Sequence, residues 1–143
     1  SNAINDERGS INNYILSEPI NWIGLISTIN VKVNDKFMIR GNHYHPVQEQ
    51  KVLVIVGSYI STYRELNDPH GGIEHHLIKA GDLVITPPNI VHAQIFLEDT
   101  VLLNLVKGER EIENYGKHTV HCELIKPGQE YYYIDQYEFE ERK

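Results

Sequence analysis

The sequence predicts an all-β protein with a single domain. Its apolar residues fall in short runs rich in β-branched side chains, and glycine, proline and asparagine separate these runs at intervals of about 8–12 residues. A chain of 143 residues has room for one domain with a sizeable core and too few residues for two of ordinary size. Many short strands joined by tight turns are typical of a β-sandwich or a β-barrel.

Eight segments carry the strand pattern. The clearest is the apolar run KVLVIV at 51–56, which Gly57 and Ser58 end. The run LVIT at 83–86 lies between two turns, with Pro87 as the first residue after it. Further strands are predicted at 22–33, 37–45, 59–63, 73–78, 91–97 and 101–106. After Gly108 the chain becomes rich in tyrosine, and its pattern is compatible with either a strand or a helix.

Composition and charge exclude several partners. Hydrophobic residues make up 41% of the chain and charged residues 23%, which is ordinary for a soluble globular protein. The net charge of -7, with lysine and arginine scattered, argues against a nucleic-acid partner. No apolar run approaches the roughly 20 residues that span a bilayer, so we expect no membrane partner. Cys122 is the single cysteine, which excludes a disulfide framework and favours a cytoplasmic protein.

Histidines form the main candidate site. On a strand, alternate side chains share a face, so His43 and His45 point to the same side. His92 begins the next strand after the turn at 87–89, where Asn89 can take the left-handed conformation that reverses the chain. Three imidazoles from two hairpins suit a divalent first-row metal.

The two histidine segments resemble the paired motifs of the cupin superfamily. The first motif is His-x-His followed by an acid and a glycine, and it matches residues 43–57. The second, Gly-x5-Pro-x-Gly-x2-His, matches residues 81–92, with Asn89 in place of the second glycine. The resemblance implies a single-domain cupin jelly-roll β-barrel, also called a double-stranded β-helix.

The resemblance also divides the chain into four parts. Residues 1–3 look like a remnant of a purification tag. The remaining parts are N-terminal strands at 4–36, the cupin core at 37–107, and a C-terminal extension at 108–143 that packs on the barrel or on a dimer partner. We expect a homodimer, because single-domain cupins commonly pair through their sheets.

Two neighbouring residues compete for the acidic position of the first motif. The usual interval before Gly57 arrives at Gln50, not Glu49. If Lys51 faces solvent, Glu49 shares its face and Gln50 points inward with the histidines, whereas a bulge before the strand reverses this. The expected metal ligands are His43, His45, Gln50 and His92, with Glu49 as the alternative to Gln50. The expected ion is zinc, iron, manganese or nickel, and the alternative is a metal-free pocket in which the histidines meet the substrate directly.

Shorter resemblances point to a substrate class. The run RGNHYH at 40–45 is similar to that of a metal-carrying cupin domain in capsule-polysaccharide biosynthesis reductases. Glu49 and Gln50, with the glycine and serine at 57–58, are similar to nucleotide-sugar ketoisomerases, which are cupins that work without a metal. The run DERG at 6–9 resembles the opening strand of sugar-modifying cupins. Together these imply chemistry on a small-molecule substrate of the nucleotide-sugar class.

The first functional hypothesis is an isomerase or epimerase that enolises a keto-sugar. His43 or His45 would act as the base and a metal as the electrophile, and the two roles compete for the same side chains. Gln94 shares the face of His92 and should bind substrate, and Arg40 should bind a phosphate if Gly41 kinks the strand. The alternatives are a metal-dependent dioxygenase and a sugar-binding module without catalysis.

Overall fold

The computed structural model describes residues 3–33, 37–108 and 111–141. Its strands form three antiparallel sheets, of two, four and five strands. The two-stranded sheet is a hairpin of β1 (Ala3–Asp6) and β2 (Gly9–Asn12), so Ala3 already belongs to a strand. The residues of this hairpin are exposed along both strands.

The two larger sheets contain all eight predicted strands, whose existence is thus confirmed. The strands are β3 (Trp22–Thr28), β4 (Ile39–Tyr44), β5 (Gln50–Val56), β6 (Ser58–Glu65), β7 (Glu74–Lys79), β8 (Leu83–Thr86), β9 (Ile90–Phe96), β10 (Thr100–Val106) and β11 (Val120–His121). The four-stranded sheet has the order β3-β10-β5-β8 and the five-stranded sheet the order β11-β4-β9-β6-β7. The predicted strand 22–33 ends early, and Asn30 just beyond its end has a left-handed φ of 63°.

A hydrophobic core fills the space between the two larger sheets. Val54 and Leu102 contribute to it from the four-stranded sheet, and Tyr59, Ile78 and Phe96 from the five-stranded sheet. Among the residues that the structure describes, no hydrogen-bonded ladder joins the two sheets. The architecture is therefore a mostly β pair of facing sheets, and the inner faces of both sheets are available to build a site.

The C-terminal extension covers the outer face of the five-stranded sheet. It consists of a 3-10 helix (Ile112–Asn114), a short α1 (Tyr115–His118), β11 and a longer α2 (Glu130–Glu141). Ile125, Tyr133 and Ile134 pack in one buried cluster with Ile60 and Ile95 of the sheet. None of the helices in the described part of the chain is long and apolar enough to cross a membrane.

The outer face of the four-stranded sheet holds a buried lysine. Lys51 alternates with the inward-facing Val52 and lies on the outer face, but its side chain is fully buried and does not face solvent. Its Nζ lies 3.2 Å from a carboxylate oxygen of Glu18 and 3.2 Å from one of Glu49. The two carboxylates balance a charge that would otherwise be buried alone.

Candidate active site

A β-bulge in β4 determines which side chains face the space between the sheets. Arg40 lies opposite Gln94 on β9, and His43 lies opposite His92, so Asn42 is an extra residue in the β4 strand. Side chains that lie opposite each other point to the same face. The bulge therefore turns Arg40 to the face of the histidines, which simple alternation along the strand would not do.

The backbone of the bulge is left-handed at two successive residues. Gly41 has a φ of 88° and Asn42 a φ of 53°. A Cβ at residue 41 would lie only 2.9 Å from the carbonyl oxygen of His92, so this close approach requires glycine. Asparagine is one of the few residues with a side chain that tolerates the left-handed region. Asn89, at the turn before His92, also has the predicted left-handed conformation, with a φ of 63°.

The side chain of Asn42 ties the bulge to the C-terminal extension. Its Oδ1 accepts hydrogen bonds from the backbone N–H groups of Leu124 and Ile125, both at 2.9 Å, and its Nδ2 donates to the Ile125 carbonyl at 3.1 Å. Its backbone carbonyl accepts a hydrogen bond from the N–H of Cys122 at 2.8 Å. This anchor was not predicted from the sequence, because its partners lie some eighty residues further along the chain.

The structure brings together His43, His45 and His92. Their ring centroids lie 4.6 to 5.4 Å apart, and one nitrogen of each ring lies within 4.8 Å of the others. His45 and His92 are each only 3% exposed, while His43 is half-buried. The cluster thus has two imidazoles in the protein interior and one at the edge of a cavity.

Backbone carbonyls fix the tautomers of the two buried rings. Nδ1 of His45 lies 2.9 Å from the carbonyl oxygen of His118, and Nδ1 of His92 lies 3.1 Å from that of Ile90. Because a carbonyl oxygen only accepts, each Nδ1 carries the proton and donates, and Nε2 is the acceptor nitrogen of each ring. Histidines that bind metals commonly donate their second nitrogen in this way.

The cavity beside the cluster has a volume of ≈ 380 Å³, within the range of small-molecule sites. Its polar lining consists of Arg40, His43, Gln50 and Gln94, and its apolar lining comes from both sheets. The Arg40 guanidinium spans the gap between the sheets, since Nε donates to Thr28 Oγ1 at 2.7 Å and Nη2 to the Ser27 carbonyl at 3.0 Å. A fixed cation, an imidazole and two amides therefore face the same space.

Of the two candidates for the acidic position, Gln50 lines this cavity. The Glu49 carboxylate lies with Lys51 on the opposite face of the sheet.

The donor set of three imidazoles and an amide suits a first-row metal in its chemistry. A metal of the zinc type sits about 2.0–2.1 Å from each nitrogen, so the rings would have to move closer together to hold it.

Two buried residues of the extension, which the sequence analysis did not assign, support the cluster from behind. Thr119 Oγ1 lies 3.2 Å from His45 Nδ1 and 2.8 Å from His118 Nδ1. The His118 and Thr119 side chains are 8% and 7% exposed. They reach the cluster because β11 pairs with β4, placing His121 opposite His43. A two-residue strand gives no periodic pattern by which it could have been predicted.

Tyr63 is a further inward-facing residue, and it was not predicted from the sequence. It lies directly opposite His92 on β6, and therefore on the same face. Burial raises the pKa of Tyr63 above its ordinary value, so the phenol stays protonated and can donate a hydrogen bond. The register between β6 and β9, which reveals this position, cannot be read from strand patterns alone.

No protein-family model and no curated protein matches the sequence. Solved structures do match it, at low sequence identity. A 3,4-ketoisomerase from Helicobacter canadensis has a TM-score of 0.65 at 18% identity, covering 82% of this chain and 84% of its own. The chain has a cupin-like β fold. The same fold is seen in QdtA, a sugar 3,4-ketoisomerase from Thermoanaerobacterium thermosaccharolyticum in complex with TDP, with a TM-score of 0.61, 17% identity and coverage of 82% and 81%.

The cupin-like fold also occurs as part of a longer protein. The capsular polysaccharide assembling protein CapF from Staphylococcus aureus is 21% identical, with a TM-score of 0.61 over 85% of this chain. This chain covers 32% of the CapF chain, or about a third of its length.

Proposed function

We propose that this protein is a nucleotide-sugar isomerase or epimerase that acts by enolising a keto-sugar. The observation that carries the proposal is the cavity between the sheets, where Arg40, His43 and Gln94 face one another. A base beside a carbonyl substrate and a cation for a phosphate are what such a reaction needs. The proposal is supported by the fold shared with two 3,4-ketoisomerases and with a dTDP-4-dehydrorhamnose 3,5-epimerase. We also infer that the two sheets are the halves of a cupin jelly-roll barrel.

The exposure of the histidines suggests a division of roles. His43 lines the cavity, so we assign to it the removal of the proton next to the substrate carbonyl. His45 and His92 lie behind it, with their Nδ1 protons donated to backbone carbonyls. Arg40 would hold a phosphate oxygen, and Gln94 would orient the sugar through its amide.

We further propose that His43, His45, His92 and Gln50 hold a divalent transition metal, namely zinc, iron, manganese or nickel. A bound ion would stabilise the negative charge that develops on the carbonyl oxygen. A nitrogen that coordinates the ion cannot also accept a proton, so the metal content of the protein decides whether His43 is a ligand or the base.

Replacing Gln50 by glutamate should strengthen metal retention by on the order of tenfold, because it adds a carboxylate to a cavity whose described lining residues include no acid. Elemental analysis after dialysis against a chelator measures this. Gln48→Glu, a matched change outside the cavity lining, should have no effect. If Gln50→Glu leaves the metal content unchanged and Glu49→Ala abolishes it, the assignment of Gln50 as a ligand is wrong.

One experiment separates the enzyme from its two alternatives. The protein is incubated with keto-deoxy sugar nucleotides, and both the formation of the isomeric sugar and the uptake of oxygen are followed. We expect an isomeric product without oxygen uptake. Oxygen uptake would instead identify a dioxygenase, and saturable binding without a product would identify a binding module.

We propose a homodimer that forms through the outer face of the four-stranded sheet. On β3, Ile23 and Leu25 are 65% and 70% exposed, and Ile55 and Ile85 extend the apolar surface. Apolar surfaces of this kind often mark interfaces between proteins. Sedimentation velocity tests the proposal, and a monomer at all concentrations would contradict it.

We also propose a cytoplasmic setting, with which the single cysteine of the chain is compatible.

A further inference from the structure

The Arg40 side chain reaches from the five-stranded sheet to the end of β3 in the four-stranded sheet. Its Nε donates to Thr28 Oγ1 at 2.7 Å, and its Nη2 donates to the Ser27 carbonyl at 3.0 Å. Ser27 and Thr28 are the last two residues of β3. A long arginine side chain has many rotamers in solution, so these two contacts restrict where its charge lies.

Thr28 presents its hydroxyl from a rigid, buried position. The residue is 3% exposed and has the same strand parity as Ile26, which lines the cavity. Its partner on β10 is Thr100, which is 1% exposed. The chain just beyond β3 is also held, because the Val31 N–H donates to Asp99 Oδ1 at 3.0 Å. A branched side chain in such a setting keeps one χ1 rotamer, so the oxygen that receives Arg40 is fixed.

The contacts with β3 occupy only part of the Arg40 guanidinium. This planar group has five N–H donors in a fixed arrangement, and β3 accepts one from Nε and one from Nη2. Both N–H groups of Nη1 and the second of Nη2 remain for other acceptors. Nη1 and Nη2 together can donate two parallel hydrogen bonds to two oxygens of one phosphate.

Neutral groups hold the charge of Arg40. A hydroxyl and a peptide carbonyl accept its hydrogen bonds, and among the residues that the structure describes no carboxylate forms an ion pair with it. The described lining of the cavity that Arg40 shares with His43 and Gln94 includes no acid either. An oriented cation whose charge is not neutralised within the site suits an anionic group of a ligand.

We propose that Thr28 is a positioning residue, which holds Arg40 so that Nη1 and Nη2 bind one phosphate of the substrate, an inference that rests on the proposed function. Thr28 does not touch the phosphate and acts through Nε of Arg40. Without the hydroxyl, the guanidinium would lose this anchor, and phosphate binding would have to order the side chain at a cost in affinity.

Inorganic diphosphate tests this role without a sugar or a base, and calorimetric titration measures its affinity. Thr28→Val keeps the shape of the side chain but removes the acceptor, so the affinity should fall about tenfold. Thr28→Ser retains the hydroxyl and should restore most of the affinity. Thr62→Val removes another buried hydroxyl, which donates to the Ala93 carbonyl, and should bind diphosphate as the wild type does.

Isomerisation kinetics separate positioning from a general loss of structure. Thr28→Val should raise KM for the sugar nucleotide by about the same factor, because Arg40 would hold the phosphate in both the ground state and the transition state. The kcat should change much less, since Arg40 does not touch the reacting carbon atoms. An unfolded fraction of the protein would instead lower the apparent kcat and leave KM unchanged.

A double-mutant cycle shows whether Thr28 acts through Arg40. Arg40→Lys should also weaken diphosphate binding about tenfold, because lysine lacks the planar fork of donors. In the Arg40→Lys background, Thr28→Val should weaken binding no further, whereas two independent losses would multiply.

Three results would overturn the inference: multiplying losses in the cycle, unchanged or tighter diphosphate binding by Thr28→Val, and no diphosphate binding by the wild type. Isomerisation that Thr28→Val does not affect would also overturn it and would leave the proposed function intact. Diphosphate binding with the expected coupling, but without isomerisation of any sugar nucleotide, would support the role of Thr28 and contradict the proposed enzymatic function.

Discussion

Replacing His43 by asparagine is expected to lower the rate of keto-sugar isomerisation by about 10²–10⁴-fold, the usual contribution of a general base. His43 is the cluster imidazole that lines the cavity, and asparagine keeps a polar side chain there that cannot accept the proton. The loss should appear mainly in kcat, because Arg40 and Gln94 still hold the substrate. Steady-state kinetics on purified protein measure the effect.

Two further variants define what the His43 result means. His70→Asn changes a histidine in an exposed loop and should leave the rate unchanged. His45→Asn should also suppress the reaction, because it removes a second imidazole of the cluster. A His43→Asn variant that folds normally and keeps the wild-type rate would exclude this residue both as base and as an essential ligand.

Replacing Asn42 by alanine is expected to destabilise the protein by about 3 kcal/mol. The variant loses three side-chain hydrogen bonds to the extension, each worth about 0.5–1.5 kcal/mol. It also places a residue that strongly disfavours the left-handed region at a φ of 53°, for a further cost of about 1–2 kcal/mol. Because the bulge is only half-buried, we expect the summed loss of stability from these two contributions to lie toward the lower end of what they allow. Denaturant unfolding monitored by circular dichroism measures the change.

Glycine at the same position separates the two contributions. Asn42→Gly relieves the backbone cost but still lacks the hydrogen bonds, so its stability should fall between wild type and Asn42→Ala. Asn12→Ala in the exposed hairpin should change stability little. Equal stability of wild type and Asn42→Ala would show that the bulge does not depend on this anchor.

The sequence predicted the strands and the histidine cluster because both depend on local patterns. Turn residues separate the apolar runs, and the parity of a single strand is enough to place His43 and His45 on one face. The bulge at Asn42 was not predictable in this way. Its hydrogen-bond partners lie in the extension, and only the register with β9 reveals the extra residue that turns Arg40 inward.

Lys51 shows how a long-range contact can escape sequence reasoning. A lysine at an outer position of a strand suggests exposure to solvent, yet Glu18, 33 residues earlier in the chain, lies close enough to pair with it. The alternation of the strand still placed Gln50 in the cavity lining, since alternation holds whether or not the outer face is covered. His118 and Thr119 were missed for a similar reason, because the pairing that brings them under His45 is non-local.

Proton exchange at the substrate tests the central claim, enolisation at the histidine cluster, most directly. The protein is incubated with a keto-deoxy sugar nucleotide in deuterated water, and the sugar is followed by nuclear magnetic resonance. We expect the signal of the proton next to the carbonyl to disappear with the wild-type protein, even where isomerisation is silent, and to persist with His43→Asn. Retention of that proton with wild-type protein and every sugar nucleotide tested would contradict enolisation at the histidine cluster.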